Sequence, residues 1–224
     1  MGMKTPKSLR DPAIRDLRLA ALDEPHVARL RKFVVRLRKE ARTKVPDFDP
    51  HDGGVDAECL LLLETPGRKG AHATGFVSRD NPDPTAKNLT NLCREARLDR
   101  TRTVIWNVVP WYIGGRQHNR TSTNKEIADA SRHLRALLAL LPHLRAVVLM
   151  GKQAQRSASI LSDIQSSPRL FWCPHPSGRS LNARRKLRVE IRRCLRLVTK
   201  YLDACANKVA NPSLKRTSRK RAAA

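Results

Sequence analysis

The sequence contains no uninterrupted apolar stretch approaching the roughly 18 to 20 residues of a membrane-spanning helix. Its first residues, MGMKTPKSLRDP, hold no apolar core of the kind a secretion signal carries. Position 6, where a myristoylation signal beginning at Gly2 needs Ser or Thr, is Pro6. These absences lead us to expect a soluble cytoplasmic protein, nucleoid-associated if the source is bacterial. Cysteines are present but not paired: Cys59, Cys93, Cys173, Cys194 and Cys205 are odd in number, and no two form a CxxC motif. That pattern is weak evidence for zinc or an iron–sulfur cluster and none for a disulfide framework, and it reads as small buried or partly buried thiols. Acidic residues are scarce, 20 against 45 Lys and Arg, so the formal net charge is +25. A charge of this size in a short chain points to a polyanionic partner, nucleic acid ahead of an acidic membrane. No internal repeat is visible.

What remains is enough for one α/β domain with extensions: 224 residues, 40% of them apolar. Residues 12–42 have helical periodicity, interrupted by Pro25, which we expect to start a second helix capped by Asp23. In that helix Val27, Leu30, Val34 and Leu37 form one apolar stripe. Residues 46–54 read as a turn-rich connector. The apolar run 58–63 (ECLLLL) predicts a buried parallel strand, and further strands are expected at 103–109, 145–150 and 169–173. Helices are expected at 85–97, 123–141, 152–162 and 182–205. Strands alternating with helices predict an α/β fold, a three-layer α/β/α sandwich around a central four-stranded parallel sheet. We expect basic N-terminal helices over 1–45 packing on a core domain of 46–207, and a flexible basic tail over 208–224.

In a parallel sheet, function collects in the loops beyond the C-terminal strand ends. Here those loops read ETPGRKGAHATGF, NVVPWYIGG, GKQAQ and PHPSGRS. His175 stands between Pro174 and Pro176, whose rings fix the backbone on both sides. A lone loop histidine is commonly a surface or structural residue, but rigid presentation suits a group that must meet one ligand atom. Asn107, near the end of an apolar strand, is either a structural residue bonded to backbone or a recognition group whose donor and acceptor, side by side, match the imide edge of a pyrimidine. Phe76 sits in a Gly-rich stretch and serves either as a core anchor or as a stacking surface for a planar ligand.

Taken in order, the loops resemble the uracil-DNA glycosylase superfamily. The first motif of that family, G-x-D-P or G-E-x-P-G, is matched by Leu63-Glu64-Thr65-Pro66-Gly67, and its H-P-S motif by His175-Pro176-Ser177. GFVSRDNPDPTAKNL is similar to the family's stacking-Phe segment and Pro-rich loop, VIWNVVPWY to its base-reading strand, and LMGKQAQ to its phosphate-touching loop. The likeness covers residues 58–200. It implies hydrolysis of the bond between uracil and deoxyribose in DNA, with the nucleotide flipped out of the stack. By this resemblance Asn107 reads the uracil edge, Phe76 stacks on the ring, and His175 faces uracil O2. Pro66, Gly67, Pro84, Gly151 and Ser177 shape the loops that grip DNA, with Lys152 beside Gly151. Arg179, or alternatively Leu181, fills the gap left by the flipped base. The basic residues Arg184, Arg185, Lys186, Arg188, Arg192 and Arg193 of the last helix are expected either to attract phosphate or to form a solvated face.

The chain also departs from the pattern. Thr65 stands where the family often has a water-positioning carboxylate, and Leu63 replaces the opening Gly. Glu64 or Asp80 is expected to hold water instead, with Asp83 another candidate. The cysteine quartet of the family's iron–sulfur branch is absent. We expect no metal or cofactor, DNA as the partner, single- or double-stranded, and a monomer. Two other readings stand beside uracil excision: a glycosylase for another deaminated base, and a DNA-binding protein that has lost catalysis, which Thr65 suggests.

Overall fold

The computed structural model describes residues 7–115, 120–162 and 168–210. The predicted tail beyond 210 lies outside the described residues. Four strands, β2 (Cys59–Leu63), β4 (Thr103–Asn107), β5 (Ala146–Met150) and β6 (Arg169–Cys173), form one parallel sheet in the order β4-β2-β5-β6. The crossovers are helical: α4 (Pro84–Glu95) lies between β2 and β4, α5 (Asn124–Leu138) between β4 and β5, and α6 (Lys152–Gln155) with α7 (Ala158–Ser162) between β5 and β6. After β6 come α8 (Gly178–Ala183) and the long α9 (Arg185–Ala210). Helix α4 packs on α9, which also covers β6. Helix α5 packs on α2 (Pro25–Ala41), whose Leu30, Phe33, Val34 and Leu37 join the same core as the sheet. This is the expected α/β sandwich, and no described helix is long and apolar enough to cross a membrane.

The continuous apolar run of β2 is explained by its place. It is paired on both sides, and Leu60, Leu61 and Leu62 are each fully buried. Each contributes on the order of 1.5–3 kcal/mol relative to an exposed leucine. The register aligns the strand ends: Leu63 pairs with Asn107, and Met150 with Cys173. Everything that follows these residues therefore emerges at one edge of the sheet. Cys59, Cys93, Cys173 and Cys194 are buried free thiols and Cys205 is half-buried.

Several boundaries differ from the sequence reading. Glu24 rather than Asp23 occupies the N-cap of α2 and makes no side-chain cap bond, whereas Asp23 pairs with Arg31 at 2.5 Å. The helix expected over 152–162 is broken between α6 and α7, where the Ser157 hydroxyl donates to the Ala154 carbonyl at 2.6 Å. Such local side-chain bonds compete with helix propagation. The final helical region starts at Gly178 rather than at 182 and runs on to Ala210.

The connector also contains more structure than its turn-rich composition suggests. Asp47–Phe48 form β1, paired in parallel with β3 (Phe76–Val77). Behind them lies a buried charge network. Arg18 from α1 (Pro12–Ala20) bonds Asp49 and, at 2.7 Å, Asp80. Arg100 reaches Asp49 at 2.6 Å, Asp52 at 2.7 Å and Asp80 at 2.8 Å. The connector thus ties the N-terminal helix to the loop that follows β3.

Candidate active site

A cavity of about 220 Å³ opens beyond the C-terminal ends of the sheet strands. Its walls come from the segment after β2 (Glu64, Thr65, Pro66, Gly67), the end of β4 (Asn107), the start of α4 with the loop before it (Asp83, Ala86), and the loop after β6 (His175, Ser177). The volume is below the roughly 300–1,000 Å³ of pockets enclosing drug-sized ligands, so it suits one planar base rather than a whole nucleotide.

Asn107 is only 4% exposed, yet its carboxamide has no hydrogen-bond partner among the described residues and faces this cavity. The amide atoms are not among the sealed, unsatisfied polar atoms, so they are reached from the cavity, where a ligand edge with a matching donor and acceptor can take the place of water. His175 lies in the same wall. Burial lowers its pKa from the ordinary histidine value, while the Asp83 charge acts in the opposite direction. The imidazole is therefore neutral at pH 7 and keeps one N–H to donate.

The histidine loop is held from two sides. Asn88 of α4 donates through Nδ2 to the Pro176 carbonyl at 2.9 Å. Gly151, at φ +93°, lies so close that an added Cβ would fall 2.8 Å from the Cβ of His175. Only glycine satisfies both the backbone angle and the approach. Gly151 also donates its backbone N–H to Cys173 at 2.9 Å, fixing the end of β6 beside the end of β5. Lys152 follows it as the exposed first residue of α6.

Of the three carboxylates considered, two line the cavity. Glu64 accepts through Oε1 from the Ser122 backbone N–H at 2.6 Å and the Ser122 hydroxyl at 3.0 Å. Asp83 caps α4, accepting at Oδ1 from the backbone N–H of Thr85 at 2.9 Å and of Ala86 at 3.1 Å. Its Oδ2 lies so close to Gly70 that a Cβ there would meet it at 2.2 Å. Asp80 stands outside the cavity: it is 3% exposed and its Oδ2 is bound to both Arg18 and Arg100. That placement corrects the expectation that Asp80 holds a water at the site.

Two more expectations are corrected. The Phe76 ring does not line the cavity. It is 1% exposed and packs with Leu9 and Leu22 in a separate small apolar cluster, leaving Val77 and Ser78 to form the wall. No Phe, Tyr or Trp ring lines the cavity among the described residues. Leu181 is 8% exposed within the main core, which removes it as a wedge, whereas Arg179 is exposed. Pro84 is the first residue of α4 and sits against Gly178. Arg120 and Ser122 were not singled out from sequence. They come from a segment without strand or motif, and only the fold brings Ser122 to Glu64 and Arg120 to the cavity mouth.

Residues 50–199 match the family model of the Uracil DNA glycosylase superfamily. The chain belongs to that superfamily, a group of DNA glycosylases. The fold is similar to the crystal structure of wild-type SMUG2 from Pedobacter heparinus, with a TM-score of 0.51 and 13% sequence identity over 68% of this chain and 77% of that chain. At that identity the likeness speaks for the fold. No curated protein matches the chain.

Proposed function

We propose that the protein removes uracil from DNA by hydrolysing the bond between the base and deoxyribose, leaving an abasic site. The observation that carries this reading is the carboxamide of Asn107, which has no hydrogen-bond partner among the described residues and lines a base-sized cavity that His175 also lines. The Asn107 amide group offers a donor to uracil O4 and an acceptor to N3–H. As the C1′–N1 bond breaks, positive charge develops on the sugar and negative charge on the departing base. The N–H of His175 meets that negative charge at O2, where a preset donor stabilises the transition state and costs no reorganisation. Water adds to C1′ and gives up a proton, and uracil leaves with the electron pair of the broken bond.

Glu64 is the carboxylate we assign to that water. Ser122 fixes one of its oxygens and leaves the other available, and the side chain lines the cavity. Thr65, its neighbour, has no proton-accepting power near neutral pH and serves as a wall. The basic loops and exposed Arg179 offset the few kcal/mol that extrusion of a base costs.

The test is a panel of oligonucleotides carrying uracil, hypoxanthine, xanthine or thymine opposite guanine, incubated without metal and scored for abasic sites. Release of uracil in preference to the others is expected. Release of another base with uracil untouched would reassign the lesion. Binding with no release from any member would leave a DNA-binding protein on this fold.

A further inference from the structure

A second concavity adjoins the base-sized cavity and shares its wall. It is an open groove of about 750 Å³ lined by Lys44, Arg68, His72 and Tyr112, with Gly114 and Gly115 at its end. The continuity is sequential as well as spatial. Gly67 and Ala71 line the base cavity, while their immediate neighbours Arg68 and His72 line the groove. One stretch of chain, the loop after β2 and the short helix α3 (Ala71–Thr74), therefore contributes to the walls of both concavities. Lys44 comes from just beyond α2, and Tyr112 from the segment after β4.

The chemistry of the groove is an aromatic pair flanked by cations. The rings of His72 and Tyr112 lie with centroids 4.7 Å apart, inclined at 33°. Both are half-buried, so one surface of the pair faces the groove. The Tyr112 hydroxyl donates to the Gly115 carbonyl at 2.9 Å, which fixes the ring's orientation. Burial and the nearby Lys44 ammonium lower the pKa of His72, so at pH 7 it is a neutral ring. Lys44 is exposed at the lip, and Arg68 lies beside the rings. Planar rings next to fixed positive charge are the two elements by which proteins hold an unpaired nucleotide: stacking for the base and attraction for the phosphate.

We propose that this groove is a stacking subsite for the unpaired base next to the flipped nucleotide on the same DNA strand, with Lys44 and Arg68 on the intervening phosphates. The proposal rests on the glycosylase reading for its substrate, and it makes the enzyme most effective on single-stranded or locally opened DNA. Tyr112 and His72 are binding residues here and take no part in bond breaking.

The experiment measures binding without chemistry. The probes are labelled single-stranded oligonucleotides with a 2′-fluoro-deoxyuridine target, which resists cleavage. The bases on its 5′ or 3′ side are either present or replaced by abasic tetrahydrofuran. The wild-type protein is expected to bind about tenfold more weakly when the flanking base on one side is missing. Tyr112→Leu is expected to bind every probe at that weaker level, without dependence on the flanking base. Tyr112→Phe keeps the ring but loses the bond to Gly115, and it is expected to retain the flanking-base dependence that the Leu variant loses. Lys44→Ala is expected to weaken all probes alike and to reduce the salt slope by about one phosphate contact. His72→Leu is the second variant should Tyr112→Leu melt at lower temperature than wild type.

Wild-type binding that ignores both flanking bases would overturn the proposal. So would a Leu variant that keeps the flanking-base dependence, or a Phe variant that loses it as Leu does, which would assign Tyr112 to shaping the Gly115 turn. Absence of base release from every lesion, with the flanking-base dependence intact, would remove the enzymatic reading and leave the groove standing. Base release with no flanking-base dependence would do the reverse.

Discussion

Phe76 and His175 have opposite fates for one physical reason, the neighbours each side chain meets. The Phe76 ring is enclosed by Leu9 and Leu22 from the N-terminal segment. Phe76→Ala should therefore lower stability by about 3–5 kcal/mol, measured by urea unfolding. Base release by the folded fraction should stay within about twofold of wild type, because the ring does not face the cavity. A stacking role would instead abolish release at unchanged stability. His175 was legible in sequence because two prolines isolate it at a strand end, and Asn107 because a carboxamide ends an otherwise apolar strand. The position of Phe76 was not legible, because the residues that enclose it lie far away in the chain and only the fold brings them together. The same holds for Asp80, whose arginine partners come from α1 and from the turn before β4.

The lowered pKa of His175 gives a pH dependence at the same scale. In the proposed mechanism the neutral imidazole is the working form, so the rate should fall as pH drops through a value below the ordinary 6.5. Stability should fall in the same direction. Below about pH 6.5 the unfolded chain takes up a proton that folded His175 resists, so unfolding gains until the folded pKa is passed. Single-turnover rates and urea midpoints measured from pH 7.5 down to pH 5 check both trends. A rate flat across this range would contradict the assigned protonation state.

Among elements, the parallel strands were the most legible, because continuous apolar runs bounded by turn residues have few other interpretations in an α/β chain. The expected strand at 169–173 matches β6 at both ends. The strands β1 and β3 were invisible, since two residues carry no periodicity. Their pairing and the charge network behind them make α1 a support for the cavity wall. Arg18 holds Asp49 and Asp80, and Leu9 donates its backbone N–H to the Asp80 carbonyl at 3.3 Å. Arg18→Ala leaves three buried carboxylates, Asp49, Asp52 and Asp80, sharing Arg100. We predict a loss of about 3 kcal/mol in chemical denaturation, with slower base release as the Val77–Asp83 wall loosens. An unchanged midpoint would mean that Arg100 alone compensates the acids.

At the scale of the whole molecule the dominant property is charge. With 45 basic residues against 20 acidic ones, non-specific attraction to the DNA backbone accompanies any base recognition. Exposed Arg184, Lys186 and Arg193 near the start of α9 add to it. Affinity for a uracil-free oligonucleotide is expected to fall about 10³-fold between 50 and 200 mM salt, the loss associated with some six phosphate contacts. Fluorescence anisotropy at several salt concentrations measures the slope, and a slope near zero would contradict a phosphate-driven interface.

The most direct measurement is the release of free uracil from a single-stranded uracil oligonucleotide under single-turnover conditions, comparing wild type with His175→Ala. The account predicts release by the wild type and a rate at least about 10²-fold lower in the variant, with oligonucleotide affinity nearly unchanged. Equal rates for the two proteins would contradict it.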